Sequence, residues 1–411
     1  DRISSLPGHI VDKILSFLSL GDAVRTCILS RKWRYKWTTL PCLVFDNQSV
    51  AVAASNQDQT KSRLVNVIDH MLLLHSGPVQ RFKLSHRDLH GISDIDRWIL
   101  FLSRGSVKEF ILEIWKGHRY KLPSAAYSCQ KLTHLELFNC LLKPPLEFSG
   151  FRSLRSLDLQ HITMDQHSFE RMVSGCPVLE RLTVMNFDGF TLLNVQAPNL
   201  VFFDVGGAFE DVAFRDTFRL AVVSIALYEN NGFERSFASG GGGGNIVKFF
   251  ASLPHIQRLE VQSFFLKYLA AGSIPVELPA PCTNLNYLSI RINFNDLSDN
   301  LATLCLLRSS PNLHELEILV RTEEQFGSWK SLTVSGSYYD FALFRLRSMR
   351  VVGVSGQKLE LDFVKFVLES APVLEKVTVK PTTAECGWDV VKELLRFRRA
   401  SMFAEIVYLD P

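Results

Sequence analysis

Leu132-Thr133-His134-Leu135-Glu136-Leu137-Phe138-Asn139-Cys140-Leu141-Leu142 decides how the rest of this 411-residue chain reads. Its apolar residues stand at positions one, four and six, with Cys140 at nine and Leu142 at eleven. Leu135 and Leu137 alternate with Glu136 and Phe138, the period-two signature of a short strand with one covered face. A strand of this length cannot cover that face by itself, so the pattern demands copies.

Copies begin at Val79, Val107, Leu154, Leu179, Leu200, Ile256, Leu285, Leu313, Leu346 and Leu374, most of them looser at the asparagine or cysteine position, with a weak one at Leu220, Val223 and Ile225. Successive starts differ by 28 (79 to 107), 25 (107 to 132), 22 (132 to 154), 25 (154 to 179) and 21 residues (179 to 200). This is near the roughly 20–29-residue period of a leucine-rich repeat. The expected fold is α/β: an irregular leucine-rich-repeat solenoid over residues 79–362, with parallel strands on its concave side and short helices on its convex side. Ser168 to Pro177 reads as one such helix, with Phe169, Met172 and Val173 inward and Gly175-Cys176-Pro177 ending it. Pro254, Pro311 and Pro372 stand just ahead of a strand in the same way. Residues 239–245 include five consecutive glycines and are expected to form a flexible insertion. With no Gly-Lys-Ser/Thr after them, they do not read as a phosphate loop.

Alternation also assigns faces, since residues between the strand leucines point to the concave side. Interfaces draw most of their energy from a few aromatic or arginine anchors. That singles out Phe138, Arg181, Tyr287 and Arg291 as the expected substrate-binding residues.

The first forty residues follow a different rule. Pro7 suits the start of a helix, along which Ile10, Val11, Ile14, Leu15, Phe17 and Leu18 make an apolar stripe wider than a lone surface helix requires. Ser19 and Asp22 have capping-box spacing ahead of Ala23, Val24, Cys27 and Ile28. Ser30 can cap a third helix over Arg31 to Trp37, which sets Trp33 and Trp37 one turn apart. A unit this small needs a metal, disulfides or a partner to bury such residues. The expectation is a docking module whose exposed helix faces, the tryptophans included, are completed by another polypeptide. Tryptophans sequestered within the chain's own fold would remove the ground for it. Seven Lys or Arg against three Asp over residues 1–40 suit an acidic protein partner. The alternatives are a cap for the repeats or a single-strand nucleic-acid site, and the apolar stripes favour protein.

Leu6-Pro7, then Ile14-Leu15-x-x-Leu18, then Ser30-Arg31-x-Trp33-x-x-x-Trp37 resembles an F-box, over residues 2 to about 42. The resemblance implies that Leu6, Pro7, Ile10, Ile14, Leu15, Leu18, Val24, Cys27, Leu29, Ser30, Trp33 and Trp37 face a Skp-family adaptor or hold the module together. Through that adaptor it implies a cullin and a RING protein. At the other end, residues 363–377, 394–401 and 404–408 read as helix, strand, helix, strand able to cap the array. They resemble the FBD region of plant F-box proteins. The expected domains are an F-box at 1–44, a connecting segment at 45–78, the repeats at 79–362 and an FBD cap at 363–411. With these matches the chain resembles the plant F-box/FBD/LRR-repeat family, which implies the substrate-recognition subunit of a Skp–cullin–F-box (SCF-type) ubiquitin ligase. The alternative is a repeat scaffold whose N-terminal helices only cap the solenoid.

Composition fits a folded protein, with 47% hydrophobic residues and a formal net charge of +3, and points to neither a nucleic acid nor a membrane as partner. Eight cysteines without a CxxC pair suit a reducing compartment, cytoplasm or nucleus, and read as buried apolar residues. His86 and His90 lack nearby cysteines and do not read as a metal site. No nucleophile elbow or dinucleotide fingerprint is present, so no enzyme and no cofactor is expected.

Overall fold

The computed structural model describes residues 6–31, 33–48, 57–87, 93–228, 244–321 and 340–411, and every repeat start read from the sequence lies two residues ahead of a parallel strand. Two units, residues 1–200 and 201–411, each have their own framework. The first contains helices Gly8–Ser16 (α1), Leu20–Arg25 (α2), Gln57–Leu74 (α3), Asp94–Ser103 (α4) and Gln166–Ser174 (α5). Its strands are Cys42–Asp46 (β1), Arg81–Ser85 (β2), Glu109–Glu113 (β3), Tyr120–Lys121 (β4), His134–Phe138 (β5), Cys140–Leu141 (β6), Ser156–Gln160 (β7), Arg181–Met185 (β8) and Leu192–Gln196 (β9). Within it β1, β2, β3, β5, β7 and β8 pair in that order, all parallel.

The second unit adds strands Phe202–Gly207 (β10), Asp211–Arg215 (β11), Val222–Leu227 (β12), Arg258–Ser263 (β13), Tyr287–Ile292 (β14), Glu315–Val320 (β15), Ser348–Val354 (β16), Lys376–Pro381 (β17) and Glu405–Tyr408 (β18). Strands β10 and β12 to β18 pair consecutively and in parallel. Its helices are Asn245–Ala251 (α6), Phe265–Leu269 (α7), Leu297–Arg308 (α8), Lys358–Ser370 (α9) and Ala384–Arg396 (α10). The helix, strand, helix, strand order expected near the C-terminus is that of α9, β17, α10 and β18.

Register turns the repeat into a core. Leu135, Leu157 and Leu182 align across β5, β7 and β8, as do Leu137, Leu159 and Val184, and all six are buried. At ~1.5–3 kcal/mol for each side chain of this size fully buried, the row outweighs any single polar contact around it. Phe45 and Phe82 extend the same layer, ring centroids 5.7 Å apart. Strands β5, β7 and β8 are each followed by a residue with positive φ, Asn139, His161 and Asn186. Asn139 Nδ2 donates to the Ile114 carbonyl at 3.0 Å, tying one repeat to the previous one.

Some boundaries differ from expectation. The segment expected only to connect, residues 45–78, holds the end of β1 and all of α3, and β1 already pairs with β2, Cys42 opposite Arg81. The sheet therefore begins inside the stretch read as the end of the F-box. Helix α5 starts at Gln166, two residues before Ser168, because Asp165 caps it, accepting the Ser168 N–H at 2.9 Å. Helix α9 starts at Lys358 because Gln357 and Glu360 form a reciprocal capping box. The expected glycine-rich insertion lies outside the described residues except for Gly244, which precedes α6, and Asn245, its first residue.

Gly175, which follows α5, lies against the backbone of Ser149 and Gly150, where a Cβ would collide with the Ser149 carbonyl. Replacing it with alanine is expected to destabilise the first unit by ~1–3 kcal/mol, read as a lowered melting temperature with unchanged far-UV circular dichroism at 20 °C. Asp299 gives a pH test in the second unit. It is fully buried in the first turn of α8, Oδ2 taking the Asn293 N–H at 3.1 Å and Arg321 at 3.4 Å while Oδ1 has no partner. Burial above all, with the neighbouring Asp296 charge, pushes its pKa up to about 7. The folded state then holds a proton that the unfolded chain releases, so stability falls as pH rises from about 4 to about 7 and levels off above. Asp299→Asn is expected to flatten that part of a melting-temperature profile measured from pH 5 to 8.

Candidate functional site

Residues 6–40 build their own small core by turning two tryptophans inward. Pro7, at φ −60° and ψ 147°, leads into α1, and its carbonyl accepts the Ile10 and Val11 N–H groups at 3.0 and 3.2 Å. Ser19 Oγ accepts the Asp22 N–H at 3.2 Å and donates to Asp22 Oδ2 at 2.8 Å, the expected cap of α2. The third helical segment is a short 3-10 turn, Lys36–Thr39, packed against α1 and α2 and tied to Asp12 by Lys36 at 3.3 Å. Ser30, expected to cap it, has a buried hydroxyl without a hydrogen bond.

Trp33 and Trp37 are only 2% and 6% exposed. The expectation that they stand open for a partner is corrected: a unit of this size has few side chains large enough to fill a core, and it uses both indoles for that. Leu15 is buried with them, while Leu6, Ile10, Val24 and Cys27 are half-buried and Pro7 is exposed. The apolar surface left over belongs to other residues. Ile28 is 88% exposed, Phe17 80% and Tyr35 65%, joined by Leu29, Ile14 and Leu18. Three of these, Phe17, Ile28 and Tyr35, were not chosen from the sequence. Ile10, Ile14 and Phe17 recur at four- and three-residue steps, and so do Val11, Leu15 and Leu18; the doubled stripe signals one face in and one face out without saying which.

On the outward face of the first unit most charges are already engaged. Arg81 meets Glu109 at 3.3 Å and Lys83 meets Glu113 at 3.4 Å, while Glu113 also accepts the Ser85 hydroxyl at 2.5 Å. His134 lies 3.7 Å from Glu136, and its hydrogen bond holds that carboxyl below the usual range. Phe138 lies between Trp115 and His161, with ring centroids 4.7 and 4.9 Å away. Trp115 Nε1 donates to Ser85 Oγ at 3.3 Å. Arg181 is exposed opposite Ser156, four residues along the strand from the row that holds Phe138.

In the second unit the guanidinium of Arg258 sits 3.6 Å from the Tyr287 ring centroid, and the Tyr287 hydroxyl donates to Glu317 at 2.7 Å. Burial first, then that carboxylate, pushes the Tyr287 pKa up to about 12. Glu317 further accepts Ser289 at 3.3 Å and lies 3.6 Å from Arg350. Arg291 is exposed at the other end of β14. The four residues picked from the sequence thus do not form one cluster: Phe138 and Tyr287 are organised by their neighbours, and Arg181 and Arg291 reach outward.

Cys129, Cys140, Cys176, Cys282 and Cys305 are buried as expected, and burial pushes the Cys140 and Cys282 thiols up to about 12. Thiols so held stay protonated and do not act as nucleophiles. Cys42 departs from expectation by being exposed. Among the described residues no group of three His, Cys, Asp or Glu is placed to hold a metal ion, and no helix is long and apolar enough to cross a membrane.

Comparison with known families agrees with both ends and the middle of the chain. The F-box domain model matches residues 3–45, the model for the LRR repeats of FBD-associated F-box protein At5g56370 matches 95–318, and the FBD model matches 342–379. The FBD match begins at 342, ahead of the expected 363. F-box/FBD/LRR-repeat protein At1g13570 of Arabidopsis thaliana is 37% identical over 100% of this chain and 99% of its own length. Two further Arabidopsis thaliana proteins, probable FBD-associated F-box protein At1g32375 and FBD-associated F-box protein At4g10400, are each 27% identical, over 97% and 93% of this chain and 98% and 93% of theirs.

The inward and outward apolar residues of the first forty positions are separable by mutation. Trp37→Ala is expected to cost ~3–5 kcal/mol as a buried aromatic truncation, whereas Ile28→Asp, at an exposed site, is expected to stay within ~0.5 kcal/mol of the parent. Chemical denaturation of the two variants checks the contrast.

Proposed function

The chain belongs to the F-box/FBD/LRR-repeat protein family, and from that premise we propose that it is the substrate-recognition subunit of a Skp–cullin–F-box (SCF-type) ubiquitin ligase. The buried tryptophans withdraw the ground that the sequence offered for a docking module, and the observation that carries the reading in their place is the exposure of Phe17, Ile28, Leu29 and Tyr35 on a module whose own core is closed around Trp33 and Trp37. Large apolar side chains left in water on so short a stretch are what a protein partner covers. In this reading they dock a Skp-family adaptor, which links the chain to a cullin and a RING protein. Outward strand positions of the repeats receive a protein substrate. The subunit itself is non-catalytic, because its contribution is to hold the substrate near the ubiquitin-charged enzyme. The free, mostly buried thiols fit the reducing cytoplasm or nucleus, where such a ligase works.

A second reading, that the N-terminal module caps the repeats, is favoured by a specific set of contacts. The Ser76 N–H donates to the Thr38 carbonyl at 2.9 Å, His75 Nε2 lies 2.9 Å from the Leu40 carbonyl, and α2 packs on β1. These contacts involve neither Phe17 nor Ile28, so capping and docking are compatible.

The test is a titration of a recombinant Skp-family adaptor against the wild-type chain and the Phe17→Asp/Ile28→Asp variant. Binding by the wild type and at least a tenfold weaker affinity for the double variant, at an unchanged melting temperature, is the expected result. A wild-type chain that retains no adaptor overturns the proposal.

A further inference from the structure

The outward residues near the C-terminal ends of four adjacent strands in the second unit form one row: Arg291, Leu319, Val352 and Lys380 are consecutive register partners across β14, β15, β16 and β17. Two aliphatic side chains, both half-buried, lie between two cations. Among the described residues neither Arg291 nor Lys380 has a hydrogen-bond or ion-pair partner. The carboxylates on the strands flanking Arg291 do not supply it with one. Glu317 is occupied by Tyr287, Ser289 and Arg350, and Glu260 by Arg258 at 2.9 Å and Gln262 at 3.3 Å. A floor that is apolar in the middle, with an unneutralised positive charge at each end, is complementary to a segment with the reverse pattern.

We propose that this row seats an extended acidic segment of the protein substrate, with two carboxylate side chains four residues apart bracketing aliphatic ones. The spacing follows from geometry. Three strand-to-strand steps of ~4.8 Å separate Arg291 from Lys380 by ~14 Å, and four residues of extended chain span ~13 Å. Such a segment runs across the strands, places a carboxylate on Arg291 in bidentate fashion and another on Lys380, and sets the aliphatic residue midway between them, which shares their face of the extended chain, on Leu319 and Val352. The row has aliphatic side chains where a nucleic-acid groove would present stacking rings, which favours a peptide. The inference rests on the reading of the outward strand positions as substrate-facing.

Fluorescence anisotropy of the full chain with a fluorescein-labelled synthetic peptide, Asp-Leu-Val-Leu-Asp between Gly-Ser flanks, tests it. The expected result is binding at least tenfold tighter than that of matched peptides with the two Asp residues two or seven positions apart. Arg291→Glu/Lys380→Glu is expected to lose that binding by tenfold or more and to accept Lys-Leu-Val-Leu-Lys instead. Equal binding of all spacings, indifference to the double variant, or equally tight binding of a single-stranded oligonucleotide that both proteins share overturns the inference. Adaptor titration of the same preparations separates the two claims. A chain that takes the adaptor but not the peptide sinks this inference alone, and one that takes the peptide but not the adaptor sinks the ligase reading alone.

Discussion

A parallel strand five or six residues long cannot close its own inward face, and everything else in this chain depends on that. In the second unit the inward positions Phe203, Val223, Leu259, Leu288, Leu316, Met349 and Val377 are successive register partners, each buried against the next. Loss of one layer would expose the faces on both sides of it, which is why the repeats are stable as a stack and not singly. Register locked by burial on one side is also locked on the other, so the outward residues fall into rows. The order of the outward surface is a by-product of the core.

The same constraint explains what could be read in advance. The strands are announced by apolar residues whose spacing is set by a rigid period of two, and a one-residue slip would turn the whole set to water. Hence the strand begins two residues after each of Leu154, Leu179 and Leu285. Leu40, Leu43 and Phe45 carry the same spacing ahead of Val79. The F-box resemblance runs through Trp37 to about residue 42 and covers the same stretch, which the chain uses for β1. Helix starts were less legible for a different reason: they are set by single polar side chains, Asp165 and Gln357, whose capping role depends on where the preceding loop delivers them.

The N-terminal module shows where periodicity stops being informative. A helix with two neighbouring apolar stripes announces that it is covered on one side and offered on the other, and either stripe satisfies the pattern. The choice is made by volume. Two indoles four residues apart fill the space between three short elements better than Ile28 or Phe17 could, so the residues that look most like interface anchors by type become the core. Type alone, large and aromatic, ranks a residue for both roles equally.

That ambiguity has a counterpart on the outward rows, and it is resolved by asking what bonding capacity each side chain has left. Tyr287 has the composition of an anchor, yet its ring is covered by Arg258 and its hydroxyl is spent on Glu317, so it organises its neighbours. Glu317 gathers a tyrosine, a serine and an arginine and has little to offer a newcomer. Arg291, one strand turn of the pleat beyond Ser289, escapes this network because its row holds Leu319 where the neighbouring row holds Glu317. A cation beside leucine and valine keeps its donors for a ligand, and a cation beside glutamate does not. Which outward cations keep unspent donors is thus decided by which register rows the carboxylates occupy, a property of alignment between repeats that no single repeat contains.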